Sequence, residues 1–507
     1  KFENIGEKEM SVLRSDGTKA IRSIPAYVER SDFILILVPS LYHSDRKVPT
    51  CYRTWRRRGW CLLELYAAAM ARDSSNPPLL VRSERGTPMW MSPLEVMKLS
   101  IGLADFTCCQ RGHVITTETQ KVMNGGEVKK IPCDKPIAGG ILEQLIDAKI
   151  NHLFNAEGNM VLARLHSCFK HWWMRGLKKN ESIVADEKSD AVEKFKKKLR
   201  WADESWFDHG SVGLLMYAVT ADEINVVSEL LRTLQQKFNG EEYSKRLESR
   251  IRDEGYTSLG VPGGTTTLMA AMMTASSEVV SMLIESCANV ESIDVMGNDS
   301  FAYASSYGRP ENLTCWLENV KGWDLNRVDK LFGSAALSKA VYVGANKLET
   351  VNTLLGAGSS IDLRSFSGGN ALTGVEMKED SDPDVVRKIL EKLKSLCSPK
   401  EFSSIVNYKR ASTTMKWKGI YLLARTLYRT GQTKAGLMYS LAIDSGTSAL
   451  NLAVVRGDVE IAKILLENGA DPYIENDLGM NAFKICDISG PFPSVRKELE
   501  EYMAGDI

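Results

Sequence analysis

Seven positions in this chain start the same local pattern, in which two short helices are joined by a turn. Each position holds a large apolar residue, and most consecutive positions are about 33 residues apart. One such helix pair cannot bury its own apolar face, so neighbouring pairs must stack into a continuous core. The pattern therefore predicts a helical solenoid with seven core anchors: Leu215, Leu268, Phe301, Leu337, Leu372, Leu450 and Phe483.

The clearest copy of the pattern runs from Gly446 to Asp471. Gly457 lies in the turn between its two helices, Leu465 and Leu466 form the apolar pair of the second helix, and the copy ends in Gly-Ala-Asp. This copy resembles an ankyrin repeat. The resemblance implies a curved array of about seven units, in which finger-like turns and inner helices line a concave face for a protein partner.

The turns between helix pairs carry Gly, Asn and Asp, for example at 294–298 and 475–479, where tight or left-handed backbone is needed. The resemblance places partner-binding residues on these finger tips. The consensus specifies the scaffold and leaves the partner's identity open. The candidate residues on the fingers are Met296, Asn298, Arg364, Phe366, Glu475 and Asp477.

Composition limits the class of partner. Lys plus Arg and Asp plus Glu number 64 each, so the net charge of zero favours neither nucleic acid nor a membrane surface. Ten cysteines in 507 residues are too few for a disulfide scaffold, and no apolar run reaches the ~18 residues of a membrane span. We expect a cytoplasmic protein with a protein partner and leave its oligomeric state open. Because the chain begins at Lys1, a targeting segment upstream is also left open.

The first 140 residues follow a different pattern. Residues 31–40 form a short apolar run that ends in Pro-Ser, which predicts a strand buried on both faces of a parallel sheet. Helices are predicted at 18–28 and 59–70, and a second strand is predicted at 78–81. Helices that alternate with strands indicate an α/β module.

The second of these helices opens with Trp60-Cys61-Leu62-Leu63-Glu64-Leu65, after a strand that ends in Ser40. These residues resemble the TIR family. In its enzymatic members a glutamate at the position of Glu64 cleaves the nicotinamide–ribose bond of NAD, because a fixed carboxylate stabilises the positive charge that develops on the ribose. Glu64 is thus a catalytic candidate. It could also belong to an inactive nucleotide-binding site, or act as a helix-start carboxylate near the positive end of the helix dipole. NAD is expected only if the module is active.

A second group of candidate ligands consists of Cys108, Cys109, His113 and Cys133, whose side chains can bind zinc. The spacing lacks the Cys-x-x-Cys knuckle of zinc ribbons, and adjacent cysteines are expected to point apart unless the backbone turns sharply. We therefore expect no metal and interpret the residues as free cysteines that pack a small hairpin, with its turn at 124–126. Metal binding remains the alternative.

The loop from Arg46 to Arg58 contains six basic residues. Its arginines could hold a phosphate or an acidic partner through forked hydrogen bonds. The alternative is a loop whose charges are solvated.

The long step between Leu372 and Leu450 contains an insertion. Its residues 402–443 include seven Lys or Arg, interleaved with aromatic residues, and no Asp or Glu. Such a helical hairpin could contact nucleic acid, acidic lipid or, as ankyrin arrays usually bind protein, an acidic protein face. The candidate contacts are Lys416, Lys418 and Arg425, and the alternative is a degenerate repeat with solvated charges.

The predicted fold class is a multidomain, mainly α chain. We expect a TIR-like α/β module with a hairpin extension at 1–140, a helical connector at 141–206 with a polar linker at 178–188, and an ankyrin array at 207–507 interrupted by a basic helical segment at 391–445. The expected function is an adaptor or scaffold that binds a protein through the array. The alternatives are a subunit of a larger assembly and an NAD-cleaving signalling enzyme that the array regulates or targets.

Overall fold

The computed structural model describes residues 19–20, 23–44, 49–71, 78–81, 88–91, 96–115, 129–177, 191–201, 212–252, 255–344, 347–375, 381–433, 436–489 and 493–505. The chain forms two compact units. The first contains residues 1–35, 56–79 and 90–186, and the second contains residues 36–55, 80–89 and 187–507. Within the described ranges, no helix is both long enough and apolar enough to cross a membrane.

The helices of the first unit pack around one long helix, Lys135–Asn155, which crosses the boundary predicted after residue 140. This helix packs against Gly59–Met70 on one side and against Met160–Trp173 on another. The latter begins after Asn159, whose side chain accepts a hydrogen bond from the amide of Leu162 (3.1 Å). The unit also contains helical residues 23–29, the short helix Thr107–Gln110 and the 3₁₀ turn Ile101–Leu103.

Two tryptophans lie in the core of the first unit. Trp172 and Trp173 are fully buried and contribute large apolar area. The indole of Trp173 donates a hydrogen bond to the backbone oxygen of Met97 (3.1 Å), and its ring lies edge-on to that of Tyr66. Trp173 therefore joins segments that are far apart in sequence.

Among the described residues, the strands form three small sheets. The three-stranded sheet has the order Leu35–Leu37, Leu79–Val81, Met89–Trp90, and the two antiparallel pairs are Leu41–Tyr42 with Pro49–Thr50 and Val114–Ile115 with Lys129–Lys130. The prediction that both faces of the first strand are buried is wrong. Ile36 is buried, but Leu35 and Leu37 are 58% and 69% exposed. The strand therefore alternates between a covered and a solvated face.

The second unit contains seven helix pairs among its described residues. Every inner helix packs on the next inner helix, and every outer helix packs on the next outer helix, so the pairs form one continuous stack. We number them pair 1 to pair 7. The inner helices are Leu214–Thr220, Thr267–Thr274, Ser300–Tyr307, Ala336–Val343, Ala371–Val375, Ala449–Arg456 and Ala482–Ser489. The outer helices are Ile224–Lys237, Ser277–Glu285, Pro310–Asn319, Lys347–Ala357, Pro383–Leu396, Val459–Glu467 and Pro493–Ala504.

Local chemistry sets the ends of these helices. Ser448 accepts a hydrogen bond from the amide of Asn451 (3.2 Å) and so caps the inner helix of pair 6. Gly457 ends this helix with a φ of 70°, a left-handed conformation that favours glycine. Six of the seven predicted anchors are buried, whereas Phe483 is half-buried and lies 5.5 Å from the ring of Tyr473.

The insertion leaves the stack unbroken, because both helices of pair 5 contact those of pair 6 directly. It forms helix Pro399–Val406 and a helical hairpin, Met415–Arg429 with Gly436–Asp444. The helical hairpin predicted within residues 402–443 falls on these two helices. Further helices among the described residues of the second unit are Ala191–Lys198, Gly240–Leu247 and the 3₁₀ turn Thr257–Leu259.

Within the second unit, residues 36–44 and 49–55 contact its last two helix pairs. The guanidinium of Arg53 is 3.0 Å from the carboxylate of Glu460 in the outer helix of pair 6. The hydroxyl of Tyr42 donates a hydrogen bond to Glu498 in the outer helix of pair 7 (3.0 Å). Arg53 is buried, and so is Arg56 in helix Tyr52–Arg56. These two arginines therefore do not fit the alternative that the charges of the basic loop are solvated. Arg46 and Lys47 lie outside the described residues, as do the predicted linker at 178–188 and the turn at 124–126.

Candidate protein-binding surface

The turn between consecutive helix pairs, which we call a finger, is closed by one polar side chain. In the finger between pairs 2 and 3, Asp294 Oδ1 accepts hydrogen bonds from the amides of Met296 and Asn298, both at 2.8 Å. Its second oxygen accepts one from the hydroxyl of Tyr303 (2.8 Å). Asp329 plays the same part in the next finger, where it also forms an ion pair with Lys339 (2.6 Å). These internal bonds fix the shape of each finger.

Backbone hydrogen bonds join neighbouring fingers into a ladder. They run from the amide of one finger to the carbonyl oxygen of another, with lengths of 2.7 to 3.1 Å. The ladder also includes the insertion, which binds the finger of residues 362–369. Because each finger is held by its neighbours, the array presents its tips in a fixed order. The four bonds are Val295 to Gly263, Lys330 to Met296, Phe366 to Phe332 and Thr413 to Phe366.

Three predicted binding residues are engaged inside the array. The side-chain amide of Asn298 donates to Asp294 Oδ2 (2.8 Å). Asp477 forms ion pairs with Arg425 and with Lys409, the latter at 3.3 Å. These cations lower the pKa of Asp477 together with a hydrogen bond from Ser445, although burial acts to raise it. This pairing could not be predicted from the sequence, because Arg425 and Asp477 are 52 residues apart.

The other predicted residues are more accessible. Glu475 is exposed, while Met296 and Phe366 are half-buried. The guanidinium of Arg364 lies 4.2 Å from the ring centre of Tyr408 and 3.3 Å from the carboxylate of Asp362. The binding role of these residues stays a prediction.

The hairpin of the insertion combines positive charge with apolar surface. Lys416 and Lys418 are exposed, and neither has an acidic partner among the described residues. Met415, Leu422 and Leu423 on the same helix are 79%, 58% and 51% exposed. Sequence reasoning identified the two lysines but not the leucines, because an apolar residue on an amphipathic helix is expected in the core.

A second apolar surface lies on the fingers. We call Val295, Leu331 and Phe332 the tip row; they are 52%, 43% and 46% exposed and belong to two adjacent fingers. Sequence reasoning missed all three. Their position could have indicated an exposed surface, because these large apolar residues lie in turns, where polar residues are usual.

In the first unit, Glu64 is an exposed residue of helix Gly59–Met70. Partial desolvation raises the pKa of Glu64, and Arg58 acts to lower it. None of the described residues forms a hydrogen bond with its carboxylate. Trp60 has a structural contact, because its indole nitrogen donates to Asp134 (3.2 Å), and Leu65 is buried.

The four candidate metal ligands lie together in the first unit. The Sγ atom of Cys109 is 3.9 Å from that of Cys108 and 3.8 Å from that of Cys133, and it is 3.6 Å from Nε2 of His113. Cys108 and Cys109 therefore do not point apart, which is the exception expected where the backbone turns sharply. For Cys133, burial acts to raise the pKa, but hydrogen bonds from the backbone of Lys135 and from His113 outweigh it, and the pKa is lowered.

One comparison with known proteins falls on pair 6 of the second unit. The ankyrin repeat family model matches residues 445–477. The nuclear factor NF-kappa-B p105 subunit of Gallus gallus is 24% identical over 211 residues, which are 42% of this chain and 17% of that protein. The chain thus spans only a small part of this relative.

Two solved structures are similar at low identity. The ankyrin repeat domain of Bcl-3, described as a unique member of the IkappaB protein family, has a TM-score of 0.38 and 19% identity, covering 58% of this chain and 100% of that one. The human ASB11 ankyrin repeat domain has a TM-score of 0.38 and 18% identity, covering 57% and 97%. The chain contains ankyrin repeats, a class that indicates protein–protein interaction. The TIR-like character of residues 60–65 remains a resemblance.

Proposed function

We propose that this protein is an adaptor or scaffold that binds a protein partner through the tip row of its ankyrin array. The observation that carries the proposal is the exposure of Val295, Leu331 and Phe332, at 43% to 52%, on two adjacent fingers. Neighbouring apolar side chains exposed on a rigid surface mark sites of protein interaction. Large aromatic and aliphatic anchors of this kind supply most of the energy of protein interfaces.

The stiffness of the fingers supports this choice of surface. Asp294 and Asp329 close their fingers, and the bond from Lys330 to Met296 joins them. A surface that is already ordered loses little conformational entropy when a partner binds. The array is therefore suited to a folded partner or an extended segment that lies across the fingers.

The test is capture of partners from a native lysate by the full chain. Leu331→Ser with Phe332→Ser should release a defined set of proteins, because the exposed apolar contact is lost while the buried core is untouched. The matched control is Leu396→Ser, a change at a leucine that is 65% exposed on the outer helix of pair 5. Equal capture by the tip-row variant and the control would reject the tip row as the binding surface.

We propose the hairpin of the insertion as a second contact, for an acidic and apolar protein segment. Lys416 and Lys418 supply free positive charge beside the exposed Leu422 and Leu423. Arg425 is less suited to this role, because its charge is engaged by Asp477. Exposed charges act over about 10 Å at 0.1 M salt, so this contact should weaken as salt rises.

Charge reversal tests the hairpin directly. Lys416→Glu with Lys418→Glu should slow association with a captured partner more than it speeds dissociation, because long-range attraction acts mainly on encounter. Lys400→Glu with Lys484→Glu makes the same change in net charge at two other exposed lysines. Identical, salt-independent kinetics for both double variants would remove the hairpin from the binding surface.

A further inference from the structure

Four potential metal ligands converge in the first unit, and the proposed function does not use them. The Cys₃His cluster consists of Cys108, Cys109, His113 and Cys133, and its ligand atoms all lie within 4.8 Å of one another. All four cysteine and histidine side chains are buried or half-buried, and the three cysteines are free thiols. The cluster therefore brings three soft sulfur ligands and one imidazole to a single point.

The backbone explains why adjacent cysteines reach the same point. Cys108 and Cys109 lie in the short helix Thr107–Gln110, and the chain then turns back through His113, whose φ of 61° is left-handed. The amide of His113 donates to the carbonyl oxygen of Cys108 (2.8 Å), which closes this turn. The amide of Ile131 donates to the carbonyl oxygen of His113 (2.9 Å) and so brings Cys133 alongside. Residues separated in sequence thus form a compact ligand set.

The three separations from Cys109 match the edges of a zinc tetrahedron. With Zn–S bonds of about 2.3 Å, two thiolates of a tetrahedral site lie about 3.8 Å apart, and a thiolate and an imidazole nitrogen lie about 3.5 Å apart. The corresponding distances from Cys109 are 3.9 and 3.8 Å to sulfur and 3.6 Å to nitrogen. A disulfide would instead need sulfur atoms about 2.05 Å apart. The geometry therefore fits a shared metal ion better than a covalent bridge.

The surroundings of the cluster support the ligands. The amide of Asp134 donates to the sulfur of Cys108 (3.3 Å), and the helix Lys135–Asn155 starts immediately afterwards. The carboxylate of Asp134 accepts a hydrogen bond from Trp60, whose ring lies edge-on to Phe106. Partners of this kind orient metal ligands and are part of most protein metal sites. The cluster thus connects the long helix of the first unit to helix Gly59–Met70.

We propose that Cys108, Cys109, His113 and Cys133 bind one structural zinc ion. Three thiolates with one imidazole form a ligand set that selects zinc over the hard cations calcium and magnesium. Four protein ligands complete a tetrahedron, so no position is left for water or substrate, and the ion stabilises the fold rather than catalysing a reaction. The ion would fasten the start of the long helix to the turn at 107–113.

Metal content of the purified full chain, kept reduced, is the first measurement. The wild-type protein should retain about one zinc ion per chain after dialysis, and Cys133→Ser should lose most of it. Cys287→Ser is the matched control, because Cys287 is an exposed cysteine in the array, and it should keep the full amount. Wild-type protein without zinc, or equal zinc in both variants, would contradict the proposal.

A second measurement separates ligand loss from misfolding. The zinc-free wild-type chain should bind added cobalt(II) and give the visible absorption of a tetrahedral thiolate site, with zinc displacing the cobalt. His113→Cys should still bind cobalt, with a spectrum shifted toward that of four thiolates, because it replaces one ligand by another. Absence of tetrahedral cobalt absorption in the folded wild-type chain would reject the site, as would a spectrum that His113→Cys leaves unchanged.

Discussion

The two compact units of this chain are stabilised by contacts of different range. In the array, each helix pair packs on its neighbours in the stack, which mostly lie about one repeat away in sequence, although the insertion separates pair 5 from pair 6. In the first unit, the stabilising contacts join distant segments, such as Trp173 to Met97 and Lys149 to Ala71, which are 76 and 78 residues apart. Residues 36–55 are an exception in the second unit, because Tyr42 reaches Glu498.

This difference predicts different responses to damage. A stack with nearest-neighbour contacts can lose one pair while distant pairs stay folded. A unit whose core joins distant segments has no such independent parts and should lose its structure as a whole. Core variants in each unit test this difference.

The largest effect is expected from Trp173→Ala in the first unit. Trp173 is fully buried, so its removal leaves a cavity and an unpaired backbone oxygen at Met97, and should cost about 3 to 5 kcal/mol. Hydrogen exchange measured by mass spectrometry should accelerate throughout the first unit and stay unchanged in the array. Trp90→Ala, at a tryptophan that is 59% exposed, is the control. Acceleration confined to the residues around Trp173 would contradict the picture of one cooperative unit.

A smaller and more local effect is expected from Leu465→Ala in pair 6. Leu465 is fully buried, and its truncation should destabilise the array by about 2 to 4 kcal/mol. Hydrogen exchange should accelerate in pairs 5, 6 and 7 and change little in pairs 1 to 3, because coupling acts through neighbours. The adjacent Leu466 is only half-buried, so Leu466→Ala should have the weaker effect. An unchanged melting curve for Leu465→Ala would argue against its place in the core.

The same difference explains what could be predicted from the sequence. Each anchor of the array, such as Leu268 or Leu450, appears in a pattern that recurs every repeat, so periodicity was enough to identify the helix pairs. The insertion could be identified because it lengthens one interval. In the first unit no pattern recurs, and the edge-on contact of Tyr66 with Trp173 depends on how distant segments fold together.

The candidate sites show the same difference between features that local sequence predicts and contacts that depend on the fold. The fingers could be predicted from their turn residues. The pairing of Asp477 with Arg425 could not be predicted, because the sequence of the insertion does not indicate which acidic residue its arginine contacts. The tip row was missed because exposure of Leu331 and Phe332 cannot be inferred from their apolar character. Adjacent cysteines point apart on regular extended backbone, whereas Cys108 and Cys109 lie in a short helix that is followed by the left-handed residue His113.

The next effect in size concerns pH and the first unit. Burial lowers the pKa of His166 to about 4, with Lys149 acting in the same direction, while the unfolded value is about 6.5. The folded unit therefore holds His166 neutral, and its stability is complete above pH 6.5 and falls as pH decreases from 6.5 toward 4, by up to about 3 kcal/mol.

Thermal melts between pH 7.5 and 4.5 measure this dependence. His166→Phe should flatten the pH response of the first unit, because phenylalanine fills the site without titrating. His152→Gln, which removes a half-buried histidine near Glu157, should keep the wild-type response. The array should respond less than the first unit in all three proteins. A wild-type slope in His166→Phe would assign the pH dependence to other groups.

The smallest effect is expected from Glu64→Gln, which asks whether the first unit is catalytic or only structural. Catalysis by a carboxylate requires that it be held where charge develops, and Glu64 is exposed, with no hydrogen bond from any of the described residues. We expect no release of nicotinamide when the purified chain is incubated with NAD and analysed by chromatography, and no change in melting temperature for Glu64→Gln. Release that Glu64→Gln abolishes, and that Glu157→Gln at another exposed carboxylate leaves intact, would reverse this expectation. The two units would then differ in chemical activity as well as in the range of their stabilising contacts.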